Sequence, residues 1–171
     1  MAKIEVDHDS FACRQEDAFA ILKLKKRAQE VLTTVQSKED LMALLSEAQY
    51  NPDIKGLALI YSGEYLADKE YKRFIDGFLE EKIDVGKWRY GQRYMIALRQ
   101  FLEIVLNFSV PIVTGMDGNI GPDSFGLSLA SDFRLATEGT QFVNPNVRLG
   151  LPPSGILSFF LVKNIGPAKA V

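Results

Sequence analysis

Cysteine and histidine each occur once in the 171 residues. A single cysteine, Cys13, excludes an internal disulfide framework, and a reducing cytoplasm is the simplest setting for the chain. Cys13 sits among polar residues with no partner motif and reads as incidental. The one histidine, His8 in VDHDS, reads as a surface residue near the N-terminus. Its neighbours Asp7 and Asp9 have no metal-ligand spacing, so no metal is expected, and a Ser–His–Asp protease is poorly supported. Long hydrophobic runs are missing too: every apolar stretch is broken well short of the roughly 18 residues that would suggest a membrane span. MAKIEVDHDS has no apolar signal core. Neither sign of charge dominates, with a net charge of −2 and no Lys/Arg block long enough to suggest nucleic acid, so neither nucleic acid nor membrane is an expected partner. No glycine-rich loop precedes a Lys-Ser/Thr pair, which removes phosphate-loop NTPase chemistry.

What is present is an ordinary balance, 47% hydrophobic and 25% charged, in a chain long enough for one domain with a real core. AFAILKLKK (18–26) alternates apolar and polar residues and predicts a strand. Ser37 with Asp40 resembles a capping box ahead of Leu41, Leu44, Leu45 and Ala48, an apolar stripe at helical spacing. YNPD (50–53) is turn chemistry, and the apolar run GLALIYS (56–62) suits a strand buried on both faces. Residues 64–94 are rich in aromatics and charges, a composition that fits either amphipathic helices packed on a core or the cover of a pocket. A helical pattern follows over 92–108 through Met95, Leu98, Leu102 and Val105, and VPIVTGMDG (110–118) reads as a second buried strand and turn. A helix over 122–131, strands over 133–137 and 141–144, and a helix over about 153–164 complete the pattern. Strands alternating with helices predict an α/β fold with mostly parallel strands. No linker divides the chain, so residues 1–171 are expected to form one domain. It stops at GPAKAV, where Pro167 is suited to open another helix, and the domain is expected to be incomplete at its C-terminus.

The stretch VPIVTGMDGNIGPDSFGLSLASDFRLATEGTQFVNPNVRLGLPPSG (110–155) resembles the signature region of the crotonase (enoyl-CoA hydratase/isomerase) superfamily. Gly118, Ala130, Asp132, Phe133, Arg134, Ala136, Phe142, Pro145, Leu149, Gly150 and Pro153 fall on that pattern without a gap, and KGLALIYSG (55–63) is similar to an upstream family strand. The resemblance implies a crotonase-like ββα spiral, here lacking the usual C-terminal helical region. It implies an acyl-CoA or acyl-carrier thioester as partner and a homotrimer or hexamer. Coenzyme A would enter only as part of the substrate, with no separate cofactor. Two backbone N–H groups are implied as an oxyanion hole, those of Asp123 and Ala67. Lys25, Lys26 and Arg27 are implied at the nucleotide end of coenzyme A, with an edge strand protected by lysines as the alternative reading of that cluster. Gly63, Gly118, Gly126 and Pro145 are implied to line the thioester.

Departures from the pattern narrow the chemistry. The family's glycine run at the helix start is replaced by Pro122, Asp123 and Ser124. Two readings of Asp123 stand: an acidic residue complementing a helix end, or a carboxylate entering the pocket as base or nucleophile. An ionised carboxylate beside a nascent oxyanion opposes its formation unless it is protonated or turned away. The hydratases' two catalytic glutamates map onto Gly126 and Asn146, neither of which shuttles protons near neutral pH. Ordinary hydration is therefore disfavoured. Asp123, Asp68 and Tyr65 are the candidate acid or base groups, with Asn146 as an orienting amide. Two functions follow: a divergent acyl-thioester enzyme with isomerase, decarboxylase or hydrolase-type chemistry, or a noncatalytic binding or assembly subunit of the same fold.

Overall fold

The run Gly56–Ser62 carries no charged side chain, and it forms a strand deep inside a six-stranded sheet. The protein is described from a computed structural model over residues 3–25, 28–62, 85–150 and 156–170. In chain order the main sheet contains β1 (Glu5–Asp7), β2 (Phe11–Glu16), β3 (Phe19–Leu24), β4 (Gly56–Ser62) and β5 (Ile112–Asp117). Its last strand is β7 (Phe133–Ala136). The short strands β6 (Asn119–Ile120) and β8 (Gln141–Phe142) pair with each other in a small parallel sheet. Spatial order in the main sheet is β1-β2-β3-β4-β5-β7, antiparallel from β1 to β3 and parallel from β3 to β7. The helices are α1 (Ala28–Thr33), α2 (Val35–Tyr50), α3 (Val85–Leu106), α4 (Pro122–Ala130), α5 (Leu157–Ile165) and α6 (Pro167–Ala170).

Register explains where the core sits. Ala20, Leu57 and Ile112 align across β3, β4 and β5, as do Leu22, Leu59 and Thr114, and all six are buried. Leu41, Leu44, Leu45 and Ala48 of α2 and Ala97, Leu98, Phe101, Leu102 and Val105 of α3 join them in one apolar cluster. Each fully buried Leu or Phe contributes about 1.5–3 kcal/mol.

Several expectations need correction. The helix containing Leu41 begins at Val35 after Thr34, so Ser37 is no cap; its Oγ instead meets Ser10 Oγ at 3.2 Å in the interior. β3 is paired on both sides and is not an edge. The antiparallel hairpin β1–β2 was not predicted, and it makes Cys13 a core residue, 3% exposed. Burial, reinforced by the Glu47 charge, pushes that thiol up to about 11. His8 is half-buried: it stacks on Phe11 at 4.6 Å, accepts the Ser10 N–H at 3.0 Å and lies 3.6 Å from Asp40. In α3 the inward residue is Tyr94, while Met95 is 54% exposed. The last long helix starts at Leu157 rather than near residue 153. Among the described residues no helix is long and apolar enough to cross a membrane.

Candidate active site

The polypeptide leaves the carboxyl end of β5 at Asp117 and turns through Gly118, whose φ of 71° lies in the left-handed region that favours glycine. Backbone bonds pin this turn, with the Gln141 N–H donating to Gly118 O at 2.9 Å and the Val143 N–H to Ile120 O at 2.9 Å. Thr137 Oγ1 donates to Asp117 Oδ1 at 2.6 Å, so that carboxylate is engaged in the turn. Two residues of β6 follow, then Gly121 as N-cap and Pro122 at the head of α4. Proline suits the first turn because no N–H is needed there. Asp123 comes next, and the first intrahelical bond runs from the Phe125 N–H to Gly121 O at 2.9 Å. The chain has thus placed a helix N-terminus just beyond the end of an inner parallel strand, where ligands of open α/β sheets bind.

Asp123 is only 2% exposed. Its charge complements the helix end by about 0.3–1 kcal/mol, but burying a carboxylate costs more than that unless it is hydrogen-bonded. A compensating donor is Tyr94 of α3, 3% exposed, whose hydroxyl donates to Asp123 Oδ2. Tyr94 was not singled out in the sequence. The signal was an aromatic with a polar end one turn before Ala97 and Leu98 on the apolar face of an amphipathic helix, which in a core requires a partner.

Asn144 precedes a 3-10 turn over Pro145–Leu149 that Pro145 opens and Gly150 closes at a φ of 67°. Asn146 is buried, and the Asn144 Oδ1 and Tyr61 Oη atoms are buried with no hydrogen-bond partner among the described residues. Burial raises the Tyr61 phenol well above its usual range. Gly126 is buried on α4. Lys25, just after β3, pairs with Asp7 at the end of β1, a contact that engages its charge. Lys26, Arg27, Gly63, Tyr65, Ala67 and Asp68 lie outside the described residues. No cluster of three or more His, Cys, Asp or Glu suited to a metal occurs among the described residues.

An apolar cleft of about 370 Å³ opens between α3 and α4, lined by Met95, Leu98, Leu102, Leu127 and Ile156, with Arg99 its one cation. Leu98 stands one helical turn beyond Tyr94, and Leu127 one turn beyond Asp123. The cleft therefore begins one turn from the Tyr94–Asp123 hydrogen bond. A larger groove of about 560 Å³, lined by polar residues and Met42 and Ile104, lies between α2 and α3, away from the helix start.

The C-terminal end of α4 is held differently. Asp132 Oδ2 accepts the Ile112 N–H at 2.8 Å, and its own N–H donates to Ile112 O at 3.1 Å. Arg134 Nη1 donates to Ser131 O at 2.8 Å and Ser128 O at 3.4 Å, satisfying terminal carbonyls.

No family model matches the chain. Over 76 residues it is 34% identical to the probable 3-hydroxyisobutyryl-CoA hydrolase 3 of Arabidopsis thaliana, which is 44% of this chain and 20% of that protein. Over 135 residues, 78% of this chain and 18% of the other, it is 24% identical to the fatty acid oxidation complex subunit alpha of Acinetobacter baumannii strain AYE. The chain thus spans about a fifth of the length of these curated relatives. A solved enoyl-CoA hydratase/isomerase from Cupriavidus metallidurans CH34 superposes with a TM-score of 0.72 at 22% identity, covering 96% of this chain and 60% of that one.

Proposed function

Given that this chain has the crotonase fold, we propose that it binds an acyl-CoA thioester at the start of α4 and hydrolyses it. The observation that carries this reading is the buried helix N-terminus at Pro122–Asp123, delivered by β5 and β6 and flanked by an apolar cleft of about 370 Å³. First-turn N–H groups have no acceptor inside their own helix. The Asp123 N–H is thus suited to receive the thioester oxygen as negative charge develops on it. Preorganised donors of this kind favour the charged state over the neutral ground state. The second donor that the resemblance implies, Ala67, and the candidate groups Asp68 and Tyr65 lie outside the described residues. The cleft accommodates a short acyl group, and its volume lies in the usual range for small-molecule sites.

Hydrolysis is favoured over hydration for two reasons. Gly126 and Asn146 stand where the hydratases' glutamates map, and the relative that is 34% identical over 76 residues is named a probable 3-hydroxyisobutyryl-CoA hydrolase. Water would add to the carbonyl carbon, the C–S bond would break, and the coenzyme A thiol would leave with the water proton. The test is calorimetric titration with short acyl-CoAs, paired with an assay of free thiol. Binding heat, and thiol release from 3-hydroxyisobutyryl-CoA exceeding hydration of crotonyl-CoA, are the expected results. Absence of heat at millimolar ligand would overturn the reading.

The absence of titratable groups at Gly126 and Asn146 favours a second reading, a noncatalytic subunit that retains only binding. Heat without thiol release or any other turnover selects it. We extend the first reading to self-association as a trimer or hexamer, supported by Phe133 and Leu135 exposed on β7; sedimentation at micromolar protein checks it.

A further inference from the structure

We propose that Tyr94 is the positioning residue of this site: its hydroxyl holds the Asp123 carboxylate against α3 and keeps that carboxylate off the N–H groups at the start of α4. The inference rests on the thioester reading for its catalytic consequence, but not for the contact itself.

The reason is competition for one set of donors. A carboxylate in the first turn of a helix is attracted to the same first-turn N–H groups that would bind a developing oxyanion. Asp123 is buried at that position, so water does little to screen it. Folded back on the helix start, its carboxylate would occupy the anion site with the protein's own charge. Left facing the ligand, it would repel the oxyanion. Tyr94 supplies a third location. Its hydroxyl donates to Asp123 Oδ2 from a different helix, and a hydrogen bond from a neutral donor to a charged acceptor is among the stronger kinds. The phenol has little freedom to leave: Tyr94 is 3% exposed, and in the same turn Arg93 Nη2 donates to Thr33 O of α1 at 3.3 Å. Ala97, Leu98 and Phe101, the next inward residues of α3, are packed into the core. The Asp that replaces a family glycine is thus tolerated at the rim because a tyrosine 29 residues earlier restrains it.

The experiment compares wild type, Tyr94→Phe, Asp123→Asn and the double variant in thiol release from 3-hydroxyisobutyryl-CoA and in urea unfolding. Phenylalanine fills nearly the same volume and removes only the hydroxyl. Tyr94→Phe is expected to lower kcat about tenfold while KM changes less than about threefold, because a neutral ground-state carbonyl depends less on the donors than an oxyanion does. Adding Asp123→Asn to Tyr94→Phe is expected to recover about fivefold of that loss, since a neutral amide opposes an oxyanion less. A packing role alone would leave the double variant as slow as Tyr94→Phe, and that result overturns the proposal. So does an Asp123→Asn protein slower than Tyr94→Phe, which would make the carboxylate a direct participant. In unfolding, the two substitutions are expected to be non-additive; strict additivity means that Tyr94 does not hold the carboxylate, and the proposal falls. Wild-type protein showing neither heat nor thiol release defeats the thioester reading alone, while the unfolding cycle still decides the contact.

Discussion

The two ends of α4 use polar residues in opposite ways. At its C-terminal end each polar group completes backbone or buried structure: Asp132 closes onto Ile112, Arg134 caps Ser128 and Ser131, and Ser131 Oγ meets Thr114 Oγ at 2.5 Å. At its N-terminal end a buried carboxylate sits in the first turn and accepts a hydrogen bond from a side chain of another helix. The stretch 110–155 therefore has two parts with different work. Its ASDFR portion holds the helix to β5, whereas its GPD portion opens the helix at the place where the proposed thioester oxygen would bind.

Leu127, fully buried between the two ends, gives the largest expected effect. Leu127→Ala should cost about 3 kcal/mol in urea unfolding, by lost burial and a residual cavity. Because α4 is a single rigid element, acyl-CoA binding heat should weaken together with stability. Unchanged binding in a destabilised protein would show that the two ends act independently.

Thr114→Val comes next and touches only the C-terminal end. Thr114 and Ser131 are both buried, so the valine leaves Ser131 Oγ without that partner, at a cost of about 2 kcal/mol. Calorimetric affinity for acyl-CoA should stay within error of wild type. A parallel loss of affinity would erase the distinction between the ends. Asp132→Ala should cost about 1.5 kcal/mol by removing the charged acceptor of the Ile112 N–H, and Asp132→Asn, which keeps an acceptor, should cost less. Thermal melts of the pair decide this, equal losses showing that the hydrogen bond is not what matters.

How much of this was legible from the residues depends on whether a signal was local. The uncharged run Gly56–Ser62 and the stripe Leu41, Leu44, Leu45 and Ala48 carried their own periodicity, and both fell where expected. The helix from Pro122 was legible for the same reason, since proline and an acidic residue both suit a first turn. The β1–β2 hairpin was not. Phe11 and Cys13 are its only buried apolar residues, and its two-residue turn to β3, Asp17-Ala18, lacks the usual glycine although Asp17 has a φ of 51°. Ser37 misled because a hydroxyl three residues before an acid looks the same whether it caps its own helix or meets Ser10 from another element. In α3, hydrophobicity ranked Met95 above Tyr94, yet helix rotation places the tyrosine inward. Its partner, Asp123, lies in a different element, so periodicity along α3 carries no trace of the contact.

Arg134→Ala is the smallest expected effect and the most selective. Its guanidinium donates to two carbonyls at the end of α4, where a cation also complements the helix dipole. The side chain lies on an exposed strand, so solvent screening limits the gain to about 0.5 kcal/mol. That small loss should shrink as salt rises, because exposed charge–dipole terms are screened within about 10 Å at 0.1 M ionic strength. Thermal melts of wild type and variant at low and high salt test both points. Convergence of the two curves at high salt marks an electrostatic cap. A constant gap means that the aliphatic stem of Arg134 contributes by packing, and the C-terminal end of α4 is then held less by charge than its hydrogen bonds suggest.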